Sequence, residues 1–409
     1  MIRRAPSVRA RRATTPMLIE VLTRPEALRT LQREWNALLV DSAADSIFLT
    51  WEWVTAWLET VRPTAPLLVV VARDGDGQLA ALAPFYVTRL RLVHTVGYRC
   101  LRVIGDRDSG AEYPDIIVRR GLEEQVLPAI AAALCAQRRA WDCLWLPQLS
   151  GWTGARERFA ALQGSPVPCR MNARPVTFGT VALPADPETY LQSLSGNTRS
   201  NIRRSRKRLA SAAENVTVVQ VERGAQLPES LAALFDLHQR RWQADGLPGC
   251  FTPQTRMRLF YERFAPVALQ KGWLRLFALQ TGGVTRAVQY GYAYAGTFYQ
   301  VQEGYDPQAP EGIGNVLREH VFRACIAEGL HEYDFLGEFS EHKRRWGAQL
   351  RSGYDLFVGR PSWKTRALFA RPIWPTGRYL REVEPQRAAP TRALAGASPD
   401  HADGAVVTE

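Results

Sequence analysis

Residues 299–317 read YQVQEGYDPQAPEGIGNVL. An aromatic strand-like run, Thr297–Gln302, leads into a Pro- and Gly-rich turn. Gly312-Ile313-Gly314-Asn315 then opens a segment, 313–328, whose apolar residues recur at helical spacing, with Gly329 as its stop. Strand, glycine turn, helix is an arrangement that binds anions. Glycines let the main chain come close to a ligand, and the unpaired amides at a helix start favour a group such as a pyrophosphate. The same spacing also fits an ordinary loop and helix cap. The third glycine of a dinucleotide fingerprint is missing, with Leu317 in its place.

The surrounding pattern predicts a mixed sheet. Upstream of the turn come helices at 187–194, 197–213, 227–243 and 253–270 and strands at 216–221, 273–280 and 284–294, with Thr281-Gly282-Gly283 and Ala295-Gly296 as hairpin turns. A strand at 332–336, another at 354–358 and a helix at 363–370 follow. The first half runs in the same order: helices at 25–40 and 51–61, strand runs at 67–73, 79–88, 101–104 and 115–118, a helix at 122–137 and a strand at 143–146. Hairpins followed by a strand–helix–strand crossover make an α/β, mostly antiparallel sheet. The order occurs twice, so two tandem lobes are expected, over 17–172 and 173–380. An Arg-rich arm (1–16) and an Ala/Pro-rich tail (381–409) are expected to be disordered.

Composition narrows the function. The formal charge is +12 over 409 residues. Residues 1–16 carry +5 of it and residues 199–208 carry +6, so the rest is nearly neutral. That is not the broad basic face of a general nucleic-acid binder, and DNA is not an expected partner. No apolar run reaches the length of a membrane helix. The six cysteines form no CxxC pair and the six histidines no HExxH pattern, so no metal is expected. The cysteines read as reduced thiols in a cytoplasmic protein. Oligomeric state is left open.

Three further segments carry polar chemistry. NTRSNIRRSRKRL (197–209) puts Arg199, Arg203 and Arg206 on one helical face, a repulsive cluster unless an anion is near. YDFLGEFSEHKRRW (333–346) ends a strand in a loop with Glu338, Glu341, His342 and Lys343, placed for acid–base or oxyanion work. FLTWEWVTAW (48–57) fits the buried face of an amphipathic helix. There is no GxSxG elbow, Walker sequence or kinase signature.

Taken together, FLTWEWVTAW, LSGNTRSNIRRSRKRL, GYDPQAPEGIGNVL and YDFLGEFSEHKRRWG resemble the GNAT-type acetyltransferases similar to the cellulose-biosynthesis protein CelD, which are related to the FemABX aminoacyl transferases. The resemblance covers about residues 18–360. It implies paired GNAT-like lobes and an acyl-CoA (acetyl-CoA) donor, with a saccharide or small metabolite as acceptor. The family's turn falls on Gly312 and Gly314, its basic helix on Arg199, Asn201, Ile202 and Arg203, and its aromatic/Lys/aromatic motif on His342, Lys343 and Trp346. The implied roles are pyrophosphate binding by Gly312, Gly314 and Asn315, phosphate binding by Arg199 and Arg203, and oxyanion stabilisation by Lys343. Glu303 or Glu341 would deprotonate the acceptor. Tyr299, Asp334, His342 and Trp346 would contact substrate. An aminoacyl-tRNA donor, or a non-catalytic binding role, is the alternative.

Overall fold

A computed structural model describes residues 17–93, 96–165, 167–212, 215–370, 373–375 and 379–383. The first half holds β1 (Leu18–Leu22), α1 (Pro25–Leu28), α2 (Gln32–Val40), α3 (Trp51–Thr60), β2 (Leu67–Arg73), β3 (Leu79–Leu92), β4 (Val96–Val103), β5 (Ile117–Val118), α4 (Glu123–Ala136), β6 (Cys143–Ser150), α5 (Ala155–Ala160) and β7 (Arg170–Ala182). The second holds α6 (Pro187–Ser193), α7 (Gly196–Ala212), β8 (Thr217–Gln220), α8 (Leu227–Ala244), α9 (Met257–Gln270), β9 (Leu274–Thr281), β10 (Val284–Tyr294) and β11 (Thr297–Tyr305). It continues with α10 (Ile313–Ala327), β12 (Glu332–Asp334), α11 (Glu341–Arg345), β13 (Gln349–Gly359), α12 (Trp363–Ala370) and β14 (Leu380–Val383).

All strands join one mixed sheet, with the path β1-β2-β3-β4-β6-β13-β7-β12-β11-β10-β9-β8; β5 and β14 both pair with β3. The path is the same from either end. Three antiparallel pairings lead to one parallel pairing, β4 with β6 and β11 with β12, and then to an antiparallel strand. That last strand is exchanged between the halves. β13, late in the chain, completes the first half against β6, while β7 completes the second against β12. The two pair with each other along Gln349–Gly359. The lobe boundary expected at 172/173 therefore falls inside β7, a strand of a continuous sheet.

β7 escapes sequence reading because Pro175 and the polar residues before it argue against a strand. The proline is tolerated because β7 pairs with β12 only at Thr180–Ala182, so no ladder faces Pro175 on that side. The expected disordered tail also changes. Residues 381–383 lie in β14, which extends the edge of β3 where β2 has ended. The arm 1–16 and residues 384–409 lie outside the described residues.

The largest core runs across both halves. Trp53 of α3 is fully buried and packs edge-on against Phe260 and Phe264 of α9 and Tyr292 of β10, at centroid distances of 4.7, 4.9 and 5.7 Å. A second core lies beneath α10, whose Ile313, Leu317, Val321, Phe322, Cys325 and Ile326 form a buried stripe at helical spacing. Phe322 stacks on Tyr333 of β12 at 4.1 Å. These contacts fix the start of α10 relative to the sheet.

Candidate functional site

The turn between β11 and α10, residues 306–312, is braced from within. The Asp306 carboxylate accepts the Gln308 amide at 3.0 Å and is held by Arg286 at 2.8 Å. Gly312 is the N-cap of α10 at φ 91°, the left-handed region, and contributes no side-chain cap. A Cβ there would meet Ser205 Oγ of α7 at 2.1 Å, so the position is closed to side chains by conformation and by space. Gly314 differs. Its φ is not positive, and a Cβ would meet nothing nearer than Tyr305 at 3.9 Å.

Among the described residues, the Gly312 and Gly314 amides donate to no protein acceptor. Both glycines, with Asn315, line a cavity of about 470 Å³ between α10 and β10–β11. Its far wall carries Glu303, Arg318, Arg241 and His342. Arg318 is 4% exposed, pairs with Glu303 through one Nη and leaves its Nε without a partner. A buried donor left unpaired is costly, on the order of 1–3 kcal/mol, unless a ligand or water answers it. Free amides at a helix start, and a guanidinium with one nitrogen unpartnered, line one cavity, and these are groups that could hold an anion.

Glu303 is a poor base. Burial would raise its pKa, but Arg318, and Arg241 at 3.2 Å, more than offset this and hold the carboxylate below its usual range. Gln300 also donates to it at 3.1 Å. His342 has the opposite character. Lost solvation, and then Arg318, draw it below the usual imidazole range although the residue is exposed, so it is neutral at pH 7 and, unlike Glu303, not held in an ion pair.

The remaining expected residues fall in four places. Arg199 caps the end of α6 by donating to Gln192 O at 2.8 Å and to Leu194 O, and Arg203 is exposed on the same face, where Arg206 pairs with Glu319 of α10. None of these three arginines lines the cavity. Arg208, one turn beyond Arg204, is the basic residue that reaches the glycine turn, donating to the Glu311 carbonyl and carboxylate. Trp346 is 3% exposed and stacked on Phe322, within the core. Glu341 is exposed and paired with Arg344. Lys343, Asp334 and Tyr299 gather elsewhere, at the junction of the halves, with Glu112 and Tyr113. Lys343 Nζ donates to Leu336 O and does not line the cavity beside the glycine turn.

Sequence reading missed Arg318, Arg241, Glu112 and Tyr113. Arg318 was masked as one polar residue on an amphipathic helix; its position one turn after Gly314 was the available signal. Glu112 and Tyr113 lie over two hundred residues from the partners they meet, and nothing local marks them.

Residues 196–344 match the family model described as an acetyltransferase (GNAT) domain. No curated protein matches the chain. Among solved structures, FemX aligns at 12% identity over 83% of this chain and 98% of its own, with a TM-score of 0.58. The C-terminal domain of a putative lysylphosphatidylglycerol synthetase from Agrobacterium fabrum aligns at 12% identity over 83% and 95%, with a TM-score of 0.48. A tandem GNAT protein from the clavulanic acid biosynthesis pathway aligns at 12% identity over 85% and 100%, with a TM-score of 0.43. The chain has a mixed α/β, GNAT-like fold, and its GNAT-matched segment contains the glycine turn, α10 and α11.

Proposed function

We propose that the chain is an acyltransferase that takes its acyl group from an acyl-CoA, with the donor's pyrophosphate on the Gly312–Asn315 turn. One observation carries the reading: two amides with no protein acceptor and Arg318, whose buried Nε has no partner, line a single cavity. Gly314 leaves room there for the phosphate oxygens, Arg208 stands at the rim and Arg318 adds positive charge to the wall. Neutral His342, on the same cavity, is the group suited to take the acceptor's proton, in preference to Glu303 or Glu341. No nucleophile is needed, because transfer between two bound substrates gains from their positioning.

The GNAT match and the cavity's shape both support this reading, and the acceptor's chemical class follows from neither. Titration calorimetry of the purified protein with acetyl-CoA and with CoA is the test. Saturable binding that Gly314→Val abolishes supports the proposal; no heat with either sinks it. An aminoacyl-tRNA donor, as a FemX-like fold allows, is separated by ribonuclease treatment, which would destroy such an activity and leave acyl-CoA transfer intact.

A further inference from the structure

Where β12 ends, two successive residues take left-handed conformations, Leu336 at φ 50° and Gly337 at φ 58°. For leucine this is strained, and it persists because the surroundings hold it. Three side chains clamp the bend. Asp334 Oδ1 accepts the Leu336 amide at 2.9 Å, and Glu112 Oε1 accepts the Gly337 amide at 2.5 Å. Lys343 Nζ donates to the Leu336 carbonyl. Glu112 comes from the loop after β4, so one of the clamps crosses from the first half to the second. Gln148 of β6 donates to the same Glu112 oxygen at 3.1 Å, while Glu112 Oε2 is buried without a partner.

Lys343 Nζ and Glu112 Oε1 lie 3.5 and 3.8 Å from the point a Gly337 Cβ would occupy, so the two groups are neighbours beside that glycine. The other charged groups bearing on Lys343 are Asp334 of β12, Glu303 of β11 and Glu338 of the loop, and those bearing on Glu112 are Asp334 and Lys343. Residue choice is informative here. Of 52 basic residues only four are lysines, at 207, 271, 343 and 364. An arginine would keep its charge at every working pH; a buried lysine titrates.

We propose that Glu112 of the first half and Lys343 of the second titrate as one coupled pair across the junction, with Glu112 a positioning residue that governs how firmly Lys343 holds its proton. The titration behaviour agrees. Burial and the nearby Asp334 lift the Glu112 carboxyl to about 8, and burial draws Lys343 below the usual amine range. As Glu112 loses its proton, Lys343 holds its own more tightly, so the two titrate as a pair. A lysine amine whose hold on its proton depends on a neighbouring carboxyl is suited to developing charge in acyl transfer, and that last step rests on the function proposed above.

Competitive labelling with acetic anhydride, read by mass spectrometry with exposed Lys207 as reference, tests the pair without any donor or acceptor. Wild type and Glu112→Gln should label Lys343 alike below pH 7. Above pH 8 they should diverge, the variant labelling about tenfold faster at pH 9, the equivalent of one pKa unit. Superimposed curves overturn the proposal. A uniform offset at all pH values also overturns it, because that is what a merely structural Glu112 would give. Infrared titration of the wild type is independent of the variant's folding: a protonated buried carboxyl present at pH 7 and gone by pH 10 is expected, and its absence at pH 7 refutes the pair. A protein that binds no acetyl-CoA could still pass both tests, so the two proposals fail separately.

Discussion

Gly312 and Gly314 stand two residues apart at the start of α10, yet alanine should act on them in opposite ways. At Gly312 the backbone is left-handed, and an L-residue there costs about 1–2 kcal/mol. The new Cβ would also sit 2.1 Å from Ser205 Oγ and 2.7 Å from Ser205 Cβ, so α7 must move. Overpacking of that kind costs about 1–3 kcal/mol, giving a total destabilisation of roughly 2–5 kcal/mol. At Gly314 the backbone is helical and the space is open, so alanine should leave stability unchanged or raise it by up to ~1 kcal/mol. Its methyl would nonetheless project at the anion site, and acetyl-CoA binding should weaken by about tenfold or more, ~1.4 kcal/mol. Urea unfolding of the two variants, with calorimetry on Gly314→Ala, measures both effects. A destabilised Gly314→Ala, or an undisturbed Gly312→Ala, would refute the account of the turn. A stable Gly314→Ala that binds acetyl-CoA at full strength would remove the turn from the donor site.

Arg318→Met leaves Glu303 with Arg241 alone in a half-buried setting and should destabilise by about 3–5 kcal/mol, measured by urea unfolding, whereas Arg241→Ala should cost far less. Glu341→Ala should change neither stability nor activity measurably, because its ion pair with Arg344 is exposed. Glu112 and Asp334 make stability pH-dependent. Their folded values, about 8 and about 6, lie above the ordinary 4.5 and 3.8, so the folded state holds protons that the unfolded chain releases. Stability is then greatest below about pH 4 as far as these two groups go, and falls as pH rises to 8. Glu112→Gln should flatten the upper part of that fall, by at most ~5 kcal/mol, in melting curves taken between pH 5 and 9.

Much of the fold was legible because its signals are local. The glycine turns at 282–283 and 295–296, the alternation of β9 to β11 and the apolar stripe of α10 each announce themselves within a dozen residues. The exchange of β7 and β13 was not legible, because register between strands far apart in sequence is set by cross-strand packing and not by any one segment. The site divided in the same way. Gly312, Gly314 and Asn315 sit at a helix start that sequence can locate. The basic helix was placed correctly as an element, but periodicity alone does not tell which stripe faces the turn; Ser205 packs against Gly312, and Arg208, three residues on, is the arginine bonded to the turn. Glu303 carried the right residue type for a base, but two arginines brought in by α8 and α10 reverse its suitability.

The two halves share one strand order and differ at one loop. After β11, the seven residues 306–312 lead straight into α10 and line the cavity proposed to take the donor. After β4, its counterpart, the thirteen residues 104–116 lead into no helix; α4 begins only after β5. Gly105 in this loop is covered by Trp53, whose ring would lie 2.8 Å from a Cβ there, so the place where a ligand would enter the first half is filled by its own core. The loop instead crosses to the second half, where Glu112 binds the Gly337 amide and Tyr113 donates to Asp334 at 2.8 Å. A loop that would cradle a donor in one copy thus braces the strained strand end of the other. The division of labour also explains the exchanged strands. A bend held from both halves needs those halves in fixed register, and β7 paired with β13 along eleven residues, Gln349–Gly359 against Arg170–Thr180, provides it. Cutting the chain at 172/173 would sever β7 and leave the first half without β13, the strand that completes it, so the two pieces expressed separately should not fold, while a circular permutant opened in the Asp74–Gly77 turn should.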